Sequence, residues 1–132
     1  MITIPVSFGE LVDKLTILEL KKVNIKNKDQ RKNINYEYDL LDKYFREEAL
    51  THDMRTKREI LAMKYNLSEI NTALWSIEDY MRKKEKLQEF DAQFMKTARS
   101  VYLNNDVRAK LKRQLNNLVN SDVVEEKSYE KY

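Results

Sequence analysis

Apolar residues along most of the chain recur at steps of three and four positions, which is the spacing of an amphipathic helix. The first such stripe consists of Phe8, Leu11, Leu15 and Leu18. Ser7 and Glu10, just before it, have the spacing of a capping box, in which the hydroxyl accepts an N–H and the carboxylate reaches back. Helix one is therefore predicted to begin at Ser7.

Two further helices follow from the same pattern. Helix two carries the stripe Ile34, Tyr38, Leu41 and Phe45, with its N-cap in 27–29 and its end near Leu50. After a turn at 51–53, helix three is predicted over about 54–87, roughly 50 Å at 1.5 Å per residue. Its apolar ladder has the spacing of a coiled-coil seam and comprises Met63, Leu67, Ile70, Leu74, Ile77 and Met81. This ladder suits a helix from another copy, so a homodimer or higher oligomer is expected.

Helix four begins after Asp91 and contains two apolar stripes that are out of phase across 104–106. Either the helix breaks there and Asp106 caps a new one, or it continues with polar residues facing inward. From Asn120 the chain has no helical period. Residues 1–6 alternate like a strand, and Val123 and Val124 could pair with them as a small ribbon.

One Gly, one Pro and no internal repeat argue against a sheet-rich fold, which needs frequent turn residues. We predict a single all-α domain spanning 1–132. It is an antiparallel bundle of about four long helices, with a short extended N-terminus and an irregular C-terminal tail.

The composition excludes several kinds of chemistry. Without Cys the chain has no thiolate zinc site and no cysteine nucleophile, and one His and one Gly build neither a multi-histidine metal site nor a phosphate loop. We expect no metal, no cofactor and no membrane segment, and a cytoplasmic protein because no signal peptide is recognisable. Glu10 and Asp13 have E-x-x-D spacing but lack a second acidic cluster, and His52 lacks a nucleophile. A non-enzymatic protein is favoured.

The candidate site lies on the polar side of helix four. Arg99, Tyr102, Asp106 and Arg113 share one side, and Asn105, Arg108 and Lys112 form the adjacent strip. Guanidinium and ammonium groups beside neutral donors are typical of a phosphate or carboxylate site. Asp106 would orient a cation, and Lys14 would add charge from helix one. The alternative is a solvated face with intrahelical ion pairs.

Other clusters remain open to two interpretations each. Glu10 and Lys14 form either a surface ion pair or one wall of the same pocket, and Trp75 is either an interface anchor or a stacking platform. The tail block 125–129 either frays or docks through Tyr129. Basic runs at 21–32, 82–86 and 108–113 are either solvated or bind phosphates.

Six blocks of the sequence resemble, in order, a short bacterial and phage family known only as domain-of-unknown-function family 6165. They lie at 4–11, 13–19, 73–79, 98–102, 105–109 and 125–129, and residues 26–60 match poorly. The resemblance implies a helical protein of this size and no particular activity.

The sequence thus predicts a non-enzymatic, homo-oligomeric helical protein that holds a small anionic ligand, a nucleotide or sugar phosphate. The predicted binding residues are Lys14, Arg99, Tyr102, Asn105, Asp106, Arg108 and Lys112. An alternative is a protein–protein adaptor acting through 26–60, which exposure of Tyr36 and Tyr44 would favour. A weak nucleic-acid binder is a further, less favoured alternative.

Overall fold

Polar N-caps determine where the helices begin in the computed structural model, which describes all residues from 1 to 132. The helices are α1 (Phe8–Asn24), α2 (Lys28–Leu50), α3 (Met54–Leu87) and α4 (Ala92–Val119). The side chains of Ser7, Asn27, Asp53 and Asp91 each accept a hydrogen bond from the backbone amide three residues later. The all-α bundle of four long helices is confirmed, as are the predicted bounds of helices two and three.

Helix α4 is continuous through residues 104–106, so Asp106 does not cap a separate helix. Its second apolar stripe contributes Leu115 to the buried core, whereas Phe94, Ala98 and Val101 of the first stripe are only half-buried. The helix ends at Asn120, whose left-handed backbone (φ 52°) suits an asparagine better than most side chains.

Helix α1 is the central element of the bundle and packs against each of the other three helices. It contributes four of the nine apolar side chains in the buried core. These nine are Phe8, Leu11, Val12, Leu15, Phe45, Ile60, Leu67, Leu115 and Val119. Of the apolar ladder on α3, only Leu67 is buried in the single chain.

The predicted ribbon between the two ends of the chain does not form. Residues 1–6 are extended and exposed, and the tail, residues 121–132, contains neither helix nor strand. Both segments instead border a groove of about 840 Å³, whose other wall includes Leu41 and Tyr44 of α2. The start of α1 is tied to the start of the tail, since the Phe8 amide donates to Ser121 Oγ at 3.2 Å.

None of the four helices combines the length and the apolar character needed to cross a membrane.

Candidate functional site

A buried carboxylate joins three helices at the centre of the site. Asp13 of α1 is fully buried, and its two oxygens accept from Arg108 Nε at 2.9 Å and from an Arg108 terminal nitrogen at 2.5 Å. Asn71 of α3 donates to the same carboxylate at 2.9 Å and to Thr16 Oγ1 at 2.8 Å. One residue of α1 therefore holds α3 and α4 in a fixed relation.

Asp13 is ionised at neutral pH despite its burial. Burial raises the pKa of its carboxyl, but hydrogen bonds from Arg108 and Asn71, with the Arg108 charge, lower it more, so the net pKa lies below the ordinary value of 3.8. The bond to Asp13 also raises the pKa of the Arg108 guanidinium. The pair is therefore fully charged and satisfies its own hydrogen bonds.

Lys112 lies in a second ion cluster on α4, one turn beyond Arg108. Its ammonium donates to Glu10 at 2.6 Å and to Glu125 of the tail at 3.1 Å, while the side chain is only 9% exposed. Burial lowers the pKa of this ammonium, but the two carboxylates raise it more, and the net shift is upward. Lys112 is thus a charged group between α1 and the tail.

The capping box forms only in part because of this cluster. Ser7 Oγ accepts from the Glu10 amide at 3.1 Å, as the spacing predicts. The Glu10 carboxylate turns to Lys112 instead of returning to Ser7, because a charged partner offers a stronger bond than a neutral amide.

The only glycine of the chain lies where α1 meets the backbone of α4. A Cβ at Gly9 would overlap the carbonyl oxygen of Lys112 and lie 2.9 Å from its Cα. The Gly9 amide donates to Asn116 Oδ1 at 2.6 Å, and Asn116 is buried. Glycine is therefore needed here for close approach of two helices.

The tail returns along the polar side of α4. Glu126 accepts from Arg113 at 2.8 Å, and the Tyr132 hydroxyl donates to Asp106. The Tyr132 ring packs edge-on against Tyr102 with centroids 5.2 Å apart. Together with Glu125 on Lys112, these contacts place the tail over both predicted strips of helix four.

The predicted site residues form two groups. Arg108 and Lys112 of α4 lie against α1, and α1 itself contributes Lys14, whose Nζ is 3.9 Å from Glu10. Farther along α4, Arg99 Nε donates to the Tyr102 hydroxyl at 3.4 Å. Asn105 is half-buried between the two groups.

Two sequence-based roles differ from the contacts in the structure. Asp106 is predicted to orient a cation, but it accepts from Tyr132, and Asp13 holds the guanidinium of Arg108. Of the two interpretations of the tail, docking is observed, but through Tyr132 and not through Tyr129, which is 75% exposed. No local pattern in the sequence specifies the register of the tail on α4.

Sequence reasoning missed five residues that build the site: Asn71, Asn116, Glu125, Glu126 and Tyr132. Asn71 had a recognisable signal, because it is a polar residue one turn after Leu67 in an apolar ladder. The tail residues had none beyond the resemblance of their block, since their partners lie 13 to 26 positions away.

The remaining candidate clusters are engaged within the chain or isolated. Glu10 and Asp13 are occupied by cations, and the structure contains no group of three His, Asp or Glu side chains that could hold a metal ion. His52 contacts only Glu48 among charged groups. Trp75 is half-buried.

The three basic runs are also partly engaged. Arg31 donates to the carbonyl oxygens of Lys22 and Ile25 at the end of α1. In the second run, Lys84 contacts both Glu89 and Asp91 at 2.7 Å. These pairs reduce the positive charge available to a nucleic acid.

A protein-family model described as "Family of unknown function (DUF6165)" matches residues 2–132. The match confirms the resemblance carried by the six sequence blocks, and it spans residues 26–60 as well. No curated protein and no solved structure matches the chain.

Proposed function

The chain belongs to the DUF6165 family, whose function is unknown, and we propose that it is a non-enzymatic binding protein for a small anionic ligand. The ligand group is a phosphate or carboxylate, as in a nucleotide or a sugar phosphate, and the polar side of α4 receives it. The observation that carries the proposal is that two tail carboxylates lie on two neighbouring α4 cations, Glu125 on Lys112 and Glu126 on Arg113.

These carboxylates occupy the positions that a free anion would take. The Glu126–Arg113 pair is solvent-exposed on both sides, and such pairs hold a segment only weakly. A phosphate brings more charge to the same contacts and forms charge-assisted hydrogen bonds with guanidinium and ammonium groups. The tail is therefore a competitor that a suitable ligand displaces.

The cations under the tail are positioned before any ligand arrives. Glu10 fixes Lys112 and Asp13 fixes Arg108, both from α1. The Arg99 guanidinium lies about 20 Å along α4 from Lys112. It contacts the Tyr102 hydroxyl and forms no ion pair, so its charge is available to a ligand long enough to reach it, such as a nucleotide. Fixed donors lose little conformational entropy on binding, which favours affinity.

Isothermal titration of the full-length protein with pyrophosphate at constant ionic strength tests the proposal. We expect the Glu125→Gln/Glu126→Gln variant to bind several-fold more tightly than the natural chain, because the internal competitors are gone. Arg113→Ala should weaken binding without changing the circular dichroism spectrum, because Arg113 is the exposed cation that displacement of Glu126 would free.

A matched control separates this competition from a general change in net charge. Glu47→Gln/Glu59→Gln also removes two exposed carboxylates, which pair with Lys43 of α2 and Arg55 of α3 and not with cations of α4. This control should keep the natural affinity. Equal tightening by both double variants, or binding that does not respond to Arg113→Ala, would contradict the proposed site.

A second candidate function is a protein–protein adaptor that uses α2. Tyr36 is 68% exposed and Tyr44 49% exposed in the single chain, and exposed tyrosines are typical of interfaces. A partner captured by the natural chain and lost with Tyr36→Ala/Tyr44→Ala would support this function. Equal capture by both proteins would contradict it.

A cytoplasmic location is part of the first proposal, because nucleotides and sugar phosphates are abundant in the cytoplasm. Cell fractionation with an antibody to the natural protein tests this location. Recovery in the periplasmic or secreted fraction would contradict it.

A further inference from the structure

The outer part of the α3–α4 pair has little cover from the rest of the chain beyond the contacts of Tyr132 with Tyr102 and Asp106. We call residues 72–107 the hairpin. None of its residues is buried, although it contains the last three residues of the apolar ladder and the first α4 stripe. Leu74, Ile77 and Met81 of α3 and Phe94 and Val101 of α4 are each only half-buried. Two helices alone cannot cover both sides of such stripes.

The exposed area of the chain is larger than a folded monomer of its mass requires. A monomer of 15.9 kDa exposes about 7,400 Å². This chain exposes 9671 Å², an excess of about 2,300 Å² over that expectation. A stable interface takes about 800 Å² from each partner, so the excess is sufficient for an extensive dimer.

The side of the hairpin that needs a partner continues the side that α1 covers. Next to the hairpin, on the side of the bundle core, α1 contacts Asn71 of α3 and Arg108 of α4. One helical turn farther out, the same sides carry Trp75 and Asn105. We call this surface the open face, and it comprises Leu74, Trp75 and Glu78 of α3 with Ala98, Val101 and Asn105 of α4.

We propose that the open face binds the open face of a second copy of this chain, so that two hairpins form a four-helix arrangement about a two-fold axis. An isologous contact of this kind needs a surface that does not repel itself. The charges bordering the open face meet this condition, because Glu78 pairs with Arg82 at 3.5 Å and Asp79 pairs with Lys83 at 2.9 Å. The proposal does not require the anion site: the open face shares only Asn105 with the predicted binding residues, and no ligand enters the contact.

Trp75 is the only tryptophan of the chain and lies on the open face. Its fluorescence therefore reports the proposed contact directly. In sedimentation equilibrium without ligand, the natural chain should show twice the chain mass of 15.9 kDa. On dilution, dissociation should shift the Trp75 emission to longer wavelength over the same concentration range.

Two substitutions on opposite sides of α4 locate the contact. Ala98→Glu places a charge on the open face and should raise the dissociation constant at least tenfold, with the emission of Trp75 shifted as on dilution. Leu103→Glu is the matched control, because it adds the same charge on the other side of the helix, where Leu103 is already 44% exposed. It should leave the dimer intact.

If Ala98→Glu does not fold, Glu78→Arg serves instead, since the Glu78 side chain is exposed. Reversing this charge gives each open face an excess of positive charge, so that the two faces repel each other. A natural chain that sediments as a single copy at millimolar concentration would overturn the proposal. Dissociation by Leu103→Glu with an intact dimer in the open-face variants would also overturn it, because the contact would then lie elsewhere.

Discussion

Replacing Gly9 with alanine should destabilise the protein, although helix propensity alone predicts the opposite. Alanine in a helix is more favourable than glycine by about 1 kcal/mol. At this position, however, the added Cβ would overlap the backbone carbonyl of Lys112, and a backbone atom cannot rotate aside as a side chain can. Helix α1 would have to move away from α4.

The magnitude follows from two losses. Overpacking of a close contact costs about 1–3 kcal/mol. Separation of the helices also stretches the 2.6 Å bond from the Gly9 amide to buried Asn116, and an unsatisfied buried group costs about 1–3 kcal/mol. After the propensity gain is subtracted, the free energy of unfolding should fall by about 1–5 kcal/mol.

Urea denaturation followed by circular dichroism measures this change, and the midpoint should fall by about 0.5–2.5 M for a slope of about 2 kcal/mol/M. Arg55 provides the control, because it is 89% exposed and, like Gly9, is the second residue of its helix. The difference between Arg55→Gly and Arg55→Ala gives the propensity at that position alone. The change from glycine to alanine can then be compared at the two positions. If it raises the free energy of unfolding by the same amount at position 9 as at position 55, the close approach of α1 to α4 is refuted.

Three further predictions concern the buried contacts. Asp13→Ala should lower the free energy of unfolding by about 3 kcal/mol, near the low end for a broken buried pair because Arg108 keeps some solvent contact; an unchanged thermal midpoint would refute this. The pKa of Asp13 lies below 3.8 in the folded protein. The ion pair of Asp13 therefore stabilises the fold above pH 3.8, and this stabilisation is lost as the pH falls through the pKa of the folded state. Acid titration of the natural chain should therefore show a loss of stability below about pH 4, and this loss should be smaller in Asp13→Asn. Parallel curves of stability against pH for the two proteins would contradict this prediction. Leu67→Ala removes a buried side chain and should lower the free energy of unfolding by about 2–5 kcal/mol. Leu61→Ala removes an exposed side chain and should lower it by less than about 0.5 kcal/mol. Equal losses for the two variants in urea titrations would contradict this prediction.

The helix boundaries could be predicted because they depend on residues a few positions apart. Each N-cap binds an amide three residues later, and the pattern of apolar positions already fixes which side of each helix is buried. The continuity of α4 was harder to predict. Its two stripes lie on different sides of one continuous helix, and only the second of them reaches the buried core of the chain.

The candidate site could be predicted in composition but not in connectivity. The cations of α4 were identified, yet Arg108 finds Asp13 at a separation of 95 residues and Lys112 finds Glu10 at 102. The placement of α1 across α3 and α4 decides those partners, and no spacing in the sequence encodes it. The capping-box carboxylate illustrates the same limit, since a distant ammonium outcompetes the local amide.

The tail was the least predictable segment. It has no hydrophobic period, so its register on α4 depends on individual contacts of Glu125, Glu126 and Tyr132. The pKa of Glu126 is lowered by its bond to Arg113, so this contact persists as the pH falls below the ordinary glutamate value of 4.5 and is lost at the lower, folded value.

The most direct test of the proposed function is the mobility of the tail as an anion is added. Because the chain has no cysteine, Ser128→Cys provides a single site for a nitroxide spin label between the Glu126 and Tyr132 contacts. The electron paramagnetic resonance spectrum should show an immobilised label that becomes mobile, with saturation, as pyrophosphate replaces chloride at constant ionic strength. A label that is mobile from the start, or a spectrum that does not change with pyrophosphate, would contradict displacement of the tail by an anionic ligand.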